Sequence, residues 1–91
     1  MKRIDGTWIY FQLLFDINET RKTQVWQVMA KQGDIELGGI KWHTAWRTYA
    51  FYPNPSTIYE DDCLTEISSF INKLMNLRWR TKYLKKERRN A

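Results

Sequence analysis

The chain has few of the residues that support metal, disulfide or nucleophile chemistry. Its 91 residues include one cysteine, Cys63, and one histidine, His43. A single cysteine excludes an internal disulfide and a cysteine-rich metal site, and such a chain suits a reducing cytoplasm. Its glycines lack the lysine and spacing of a phosphate-binding loop. Because Cys63 is expected on a buried helix face, it is a poor nucleophile. The sequence therefore predicts a protein that is not an enzyme and uses no cofactor or metal.

Long apolar runs are also absent. The longest candidate, Trp8–Phe15, contains Gln12 and is far too short to span a bilayer. Asp5 interrupts the basic start that a signal peptide needs, and no small-residue cleavage site follows. We therefore expect a cytoplasmic protein with no transmembrane segment.

Aromatic residues, by contrast, are abundant, with five Trp, five Tyr and four Phe. A chain of this size buries only about 60–65% of the surface that its unfolded form exposes. Each aromatic side chain can bury roughly 150–250 Å². Most of the aromatic residues are therefore expected in the core, including Trp42, Tyr49 and Phe51.

Four segments have the alternating pattern of β-strands. They are Thr7–Ile17, Gln24–Lys31, Ile35–Trp42 and Arg47–Tyr52. In the first segment, Ile9, Phe11, Leu13, Phe15 and Ile17 share one apolar face. In the last two we assign Ile40, Trp42, Tyr49 and Phe51 to the buried face and Lys41 to solvent. Gly38-Gly39 indicates a bulge or a close backbone approach. Short connections favour an antiparallel meander.

After Pro55 the pattern becomes helical. Apolar residues recur at offsets of three and four, at Cys63, Leu64, Ile67, Phe70, Ile71, Leu74, Met75 and Leu77. Thr57 and Glu60 have the spacing of a capping box, and the acidic residues at 60–62 suit the positive end of a helix dipole better than a metal site. The predicted fold is α+β: an antiparallel β-meander of three to four strands packed against one long C-terminal helix.

The positive charge is concentrated at the C-terminus. Residues 1–77 carry eight Lys/Arg and nine Asp/Glu, a net −1, whereas residues 78–91 carry seven Lys/Arg and one Glu, a net +6. We therefore predict a single domain over 1–77 and a basic tail over 78–91 that either extends the helix or is disordered. Such an asymmetry favours an anionic partner.

Nucleic acid, either DNA or RNA, is the leading prediction for that partner. The candidate contacts in the tail are Arg78, Arg80, Lys82, Lys85, Lys86, Arg88 and Arg89. Lys41, Trp46 and Arg47 are further candidates, since Trp46 precedes the fourth strand and an exposed aromatic can stack on bases. A solubilising tail and ordinary solvated charge remain alternatives, as does binding of the tail to a membrane surface through Trp79, Tyr83 and Leu84.

The stretch LGGIKWHTAWRTYAFYP at 37–53 and the later stretch CLTEISSFINKLM at 63–75 belong to a segment, Gln24–Asn76, that resembles small uncharacterised proteins of bacteriophages and related mobile elements. These show Trp-x-Val, Leu-Gly-x-Ile-Lys-Trp, Trp-Arg-x-Tyr-x-Phe-x-Pro and Cys-Leu before an apolar helix. The matching residues here are Trp26, Val28, Leu37, Gly38, Ile40, Lys41, Trp42, Trp46, Arg47, Tyr49, Phe51, Pro53, Cys63 and Leu64. The resemblance implies a phage or prophage origin and the cytoplasm of a bacterial host. It implies no activity.

A protein–protein interaction module is the main alternative function. Small phage proteins often redirect a host protein, which the resemblance brings into consideration. An outer sheet face carrying Trp8, Tyr10, Leu14 and Trp26 would be an apolar patch suited to a host or phage protein. Homodimerisation through that face or through a sheet edge fits the same pattern.

Overall fold

The computed structural model describes the backbone of residues 2–90 and the side chains of residues 2–78. One sheet contains β1 (Arg3–Asp5), β2 (Ile9–Phe15), β3 (Val25–Ala30), β4 (Ile35–His43) and β5 (Thr48–Pro53), and α1 (Asp61–Asn90) follows. All neighbouring strands are antiparallel and lie in sequence order. The predicted α+β meander with a C-terminal helix is confirmed. The sheet has five strands rather than three to four, because the three-residue β1 is too short to show a pattern.

The core lies between α1 and one face of the sheet. Phe70 of α1 stacks on Phe11 at 4.0 Å between ring centroids, and the edge of Trp26 meets it at 4.9 Å. The fully or largely buried apolar residues of the cluster are Ile9, Phe11, Trp26, Val28, Ile40, Tyr49, Ile67, Phe70 and Leu74. Trp42 and Phe51 pack against them. The inward assignment of the β4 and β5 residues is therefore confirmed, with Lys41 exposed on the other face.

A bulge in β2 ends the alternation that the sequence shows. Leu13 pairs with Trp26 and Phe15 pairs with Val25, so Leu14 is an extra residue. One extra residue reverses which face the following side chains occupy. Phe15 and Ile17 are consequently 54% and 58% exposed. The prediction that Phe15 and Ile17 share one face with Ile9, Phe11 and Leu13 is therefore wrong.

A second irregularity lies at the glycine pair. Gly38 pairs with Val28 while Glu36 pairs with Met29, so Leu37 is the extra residue of β4. A Cβ on Gly38 would run into the Tyr52 carbonyl oxygen. The predicted bulge and close backbone approach are both confirmed at this point.

Glu60 caps the start of α1. Its Oε1 accepts a hydrogen bond from the Cys63 amide at 2.8 Å, which lowers the pKa of the Glu60 carboxyl. The Thr57 hydroxyl instead donates to the Asn54 carbonyl at 2.8 Å. The predicted capping box is therefore wrong for Thr57, because the helix begins one turn later than that motif requires.

Candidate functional site

The two ends of the sheet differ in charge. The connections β2–β3 and β4–β5 lie at one end of the sheet. Arg78 of α1 lies at the same end. Its guanidinium is 4.3 Å from the Trp42 ring centroid, and its Nη1 donates a hydrogen bond to the Lys22 carbonyl at 3.3 Å. We call this the basic end. Its described charged residues are Lys2, Arg21, Lys22, Lys41, Arg47, Arg78, Asp16 and Glu19.

The opposite end is acidic. It contains the β1–β2 and β3–β4 turns and the start of α1. The Glu66 carboxylate of α1 accepts hydrogen bonds from the Thr7 and Trp8 amides of the β1–β2 turn, and so connects the helix to the sheet. The carboxylates there belong to Asp5, Asp34, Glu60, Asp61, Asp62 and Glu66. Lys31 is a cation at this end, and its Nζ lies 3.6 Å from Asp5 Oδ1. α1 therefore begins at the acidic end and reaches the basic end at Arg78.

Four side chains form a cluster at the basic end, on the sheet face away from α1. We call Lys41, His43, Trp46 and Tyr52 the outer hairpin cluster. Lys41 and His43 alternate along β4 with the inward Ile40 and Trp42, and β5 places Tyr52 opposite Gly39. The four-residue turn that carries Trp46 is closed by its amide donating to the His43 carbonyl at 3.2 Å.

The members of this cluster form a chain of contacts from Lys41 through Tyr52 and His43 to Trp46. The Tyr52 hydroxyl is hydrogen-bonded to His43 Nδ1 at 2.7 Å, and Lys41 Nζ lies 4.5 Å from the centroid of the Tyr52 ring. The His43 ring meets the Trp46 indole in a T-shaped contact at 4.5 Å. Trp46 nevertheless remains 74% exposed. The arrangement offers an accessible indole, connected through His43 and Tyr52 to the Lys41 ammonium group.

The structure brings only some of the predicted nucleic-acid candidates together. Lys41 and Trp46 are connected by the intervening side chains of Tyr52 and His43. Arg47 follows Trp46 in the turn and has a left-handed φ of 53°. The side chains of Arg80, Lys82, Lys85, Lys86, Arg88 and Arg89 lie outside the described residues, although the backbone of α1 continues to Asn90. Sequence reasoning missed Tyr52, which its strand period placed on the same face as Thr48 and Ala50.

The predicted apolar surface on the outer sheet face does not form. Placing Trp26 there is wrong, because its strand phase matches that of Val28 and it is 1% exposed beside Phe70. Trp8 and Leu14 are exposed at opposite ends of β2. These two residues make no continuous patch with Trp26.

Tyr10 lies on the outer face of the sheet, but Arg3 and Asp34 cover it there. The Arg3 guanidinium lies 3.6 Å from its ring centroid, and its hydroxyl donates to Asp34 Oδ1 at 2.9 Å. That hydrogen bond is the main cause of the raised pKa of Tyr10. Only 6% of Tyr10 is exposed, so it offers little to a partner.

Cys63 and His43 lie on opposite sides of the sheet. Cys63 packs against the core from α1, whereas His43 belongs to the outer hairpin cluster. Burial raises the pKa of the Cys63 thiol, which disfavours the nucleophilic thiolate. Within residues 2–78, no group of three His, Cys, Asp or Glu side chains is arranged to hold a metal ion. The described helix has no stretch long and apolar enough to cross a membrane.

One comparison connects the chain to a known protein. It is 40% identical over 58 residues to an uncharacterized 9.3 kDa protein of Acholeplasma phage L2, and the match covers 64% of this chain and 74% of the phage protein. No protein-family model and no solved structure matches. The predicted resemblance to small phage proteins is confirmed by this similarity. Since the match spans most of the relative, the chain belongs to the same family as the 9.3 kDa protein of Acholeplasma phage L2.

Proposed function

We propose that the protein is a non-enzymatic nucleic-acid-binding protein that contacts phosphates through its basic end and the C-terminal segment 78–91. The observation that carries this proposal is the contact of Arg78 with Trp42 and Lys22. It brings the start of the basic segment to the end of the sheet that carries Trp46 and Arg47. Cationic side chains from the sheet and from α1 are thus available to one polyanion.

The charge distribution supports a nucleic-acid partner in particular. Six of the seven Lys/Arg residues of 78–91 follow Arg78, within a segment that has one acidic residue. Phosphate contacts of this kind release counterions, so affinity falls linearly with the logarithm of salt concentration. Each neutralised phosphate contributes a slope of about −0.7 for single strands and −0.9 for duplex.

The test measures binding of labelled DNA and RNA to the full-length protein at low and moderate salt. In the neutralised variant, glutamine replaces Arg80, Lys82, Lys85, Lys86, Arg88 and Arg89, since glutamine keeps helix propensity and removes charge. We expect a weaker affinity and a shallower salt slope. The control is Lys31→Gln at the acidic end, which should leave both unchanged. Absence of binding by the unaltered protein at low salt would reject the proposal.

Homodimerisation through β5 is a second candidate function, favoured by a difference between the two sheet edges. The β1 edge is three residues long and carries Arg3 and Asp5. The β5 edge, Thr48–Pro53, has six residues and none of them is charged. Short length and charge normally protect edge strands from pairing with another chain. β5 lacks both and so suits antiparallel pairing with a second copy.

Sedimentation velocity over a range of protein concentrations tests this candidate. Pairing through β5 predicts a dimer that Ala50→Lys shifts toward monomer, because a charged edge side chain opposes pairing. Ser69→Lys adds the same charge on the exposed side of α1 and is the matched control. A protein that is monomeric at every concentration would exclude the dimer.

A further inference from the structure

We infer that the outer hairpin cluster is a stacking site for an unpaired nucleotide base, with Trp46 as the stacking side chain. The protein should therefore prefer single-stranded to double-stranded nucleic acid. This inference rests on the proposed function and adds the class of nucleic acid to it. Trp46 is 74% exposed in the turn between β4 and β5. Burial in the core therefore does not account for this large apolar side chain.

The neighbours of Trp46 orient it without covering it. The His43 ring contacts the indole at 4.5 Å with an interplanar angle of 61°. His43 is itself held by the hydrogen bond between Nδ1 and the Tyr52 hydroxyl. A side chain that is ordered before binding loses less conformational entropy when the ligand arrives. The cluster thus presents a pre-positioned aromatic surface.

Two cationic residues lie in the same β4–β5 hairpin as Trp46. Lys41 lies against the Tyr52 ring on the same face of the sheet, and Arg47 follows Trp46 in the turn. A base stacked on the indole would bring its own phosphates toward these charges. Aromatic side chains within a basic groove are the usual means of binding single strands without sequence preference.

Exposed Trp8 provides an internal comparison. It is 57% exposed, but it lies at the acidic end, where its amide donates to Glu66 Oε2 at 3.2 Å. The Glu66 carboxylate beside it repels a phosphate. Exposure alone therefore does not make a stacking site, and the combination with Lys41 and Arg47 distinguishes Trp46.

The requirement for an unpaired base follows from geometry. Inside a duplex, both faces of each base are covered by neighbouring bases and only the edges are open in the grooves. A free indole can stack on a base only when that base is unstacked from its neighbours, as in single strands and loops. Contacts between the segment 78–91 and phosphates do not require an unstacked base.

The experiment compares four full-length proteins: the unaltered chain, Trp46→Ala, Trp46→Phe and Trp8→Ala. Fluorescence anisotropy measures their affinity for a labelled single strand, a duplex of the same length and a single strand of abasic sites. We expect the unaltered protein to bind the ordinary single strand most tightly. Trp46→Ala should weaken that binding by roughly 5- to 150-fold, the factor for one stacked base.

The other arms identify the base as the group that Trp46 contacts. Trp46→Phe should retain much of the affinity, and Trp8→Ala all of it. The abasic strand should bind the unaltered protein and Trp46→Ala equally. Circular dichroism checks that each variant is folded, which the exposure of Trp46 favours.

The outcomes separate this inference from the proposed function. Salt-sensitive binding that Trp46→Ala leaves unchanged, or weakens equally for duplex and single strand, overturns the stacking site and retains phosphate binding. If no nucleic acid binds the unaltered protein at low salt, both the proposed function and the stacking site are wrong.

Discussion

At the scale of single residues, the neighbouring glycines of β4 differ in the space around them. A Cβ on Gly38 would overlap the Tyr52 carbonyl oxygen and lie 2.9 Å from a Phe51 ring carbon. On Gly39, the nearest atom would be the Trp26 carbonyl oxygen at 3.5 Å, an ordinary contact. Both glycines lie in β4, but only Gly38 lacks the space for a Cβ.

Gly38→Ala should therefore lower the free energy of unfolding by about 1–3 kcal/mol, the usual cost of overpacking. Gly39→Ala should be neutral or stabilise by up to about 1 kcal/mol, since alanine restricts the unfolded chain. Equilibrium denaturation in urea measures both. Equal losses for the two variants would contradict the close approach of β4 and β5 at Gly38.

At the scale of elements, α1 is attached to the sheet by more than apolar packing. The Glu66 carboxylate accepts hydrogen bonds from the Thr7 and Trp8 amides, more than 50 residues away in sequence. Glu66→Ala should lower the free energy of unfolding by about 1 kcal/mol, because it removes the acceptor for both amides. Glu66→Gln keeps one acceptor oxygen and should lose less. Glu19→Ala removes the same charge from the β2–β3 connection and should change stability little.

The cap at Glu60 should make stability depend on pH. Its hydrogen bond from the Cys63 amide lowers the folded-state pKa below the ordinary value of 4.5. The stabilisation is therefore complete above that value and is lost as pH falls toward the lower folded pKa. Glu60→Gln should remove this part of the acid sensitivity. Urea denaturation of both proteins between neutral pH and acid measures the difference, and identical pH profiles would contradict the role of the cap.

The elements were largely predictable from the sequence because their patterns are local. The period of two along β3, β4 and β5 and the period of three to four along α1 each reflect one buried face. The failure at Phe15 and Ile17 arose from the Leu14 bulge, which alternation does not reveal. β1 was missed because three residues are too few to alternate.

The candidate site was predictable only in part. The residues Lys41, Trp46 and Arg47 are neighbours in sequence, so their proximity was expected. Tyr52 joins them through strand register, which depends on the length of the β4–β5 turn. The face that Trp26 occupies was not predictable because β3 has apolar residues on both faces, with Trp26 and Val28 on one and Val25 and Met29 on the other.

At the scale of the whole molecule, the sheet has one apolar face and α1 is the described element that covers it. Helix and sheet consequently share a single core. The two ends of the sheet carry opposite charge, and α1 runs from the acidic end, where it begins, to the basic end, where Arg78 lies. Under the proposed function, a polyanion would approach the basic end, which carries Trp46, rather than the acidic end, which carries Trp8.

A shared core implies that helix and sheet unfold together. Phe70 contacts both Phe11 and Trp26, so Phe70→Ala should cost about 3–5 kcal/mol. That is a large fraction of the roughly 5–15 kcal/mol that stabilises a domain. Leu64→Ala, at a helix position that is 50% exposed, is the control and should cost much less.

Thermal unfolding followed by far-UV circular dichroism and by tryptophan fluorescence should give coincident transitions for the unaltered protein. Phe70→Ala should shift both transitions to lower temperature by the same amount. A variant in which the fluorescence transition moved while the helical signal kept its midpoint would show that α1 is stable without the sheet, and would contradict the single core. The helix should not behave in this way, because its stability depends on burying the face that carries Phe70.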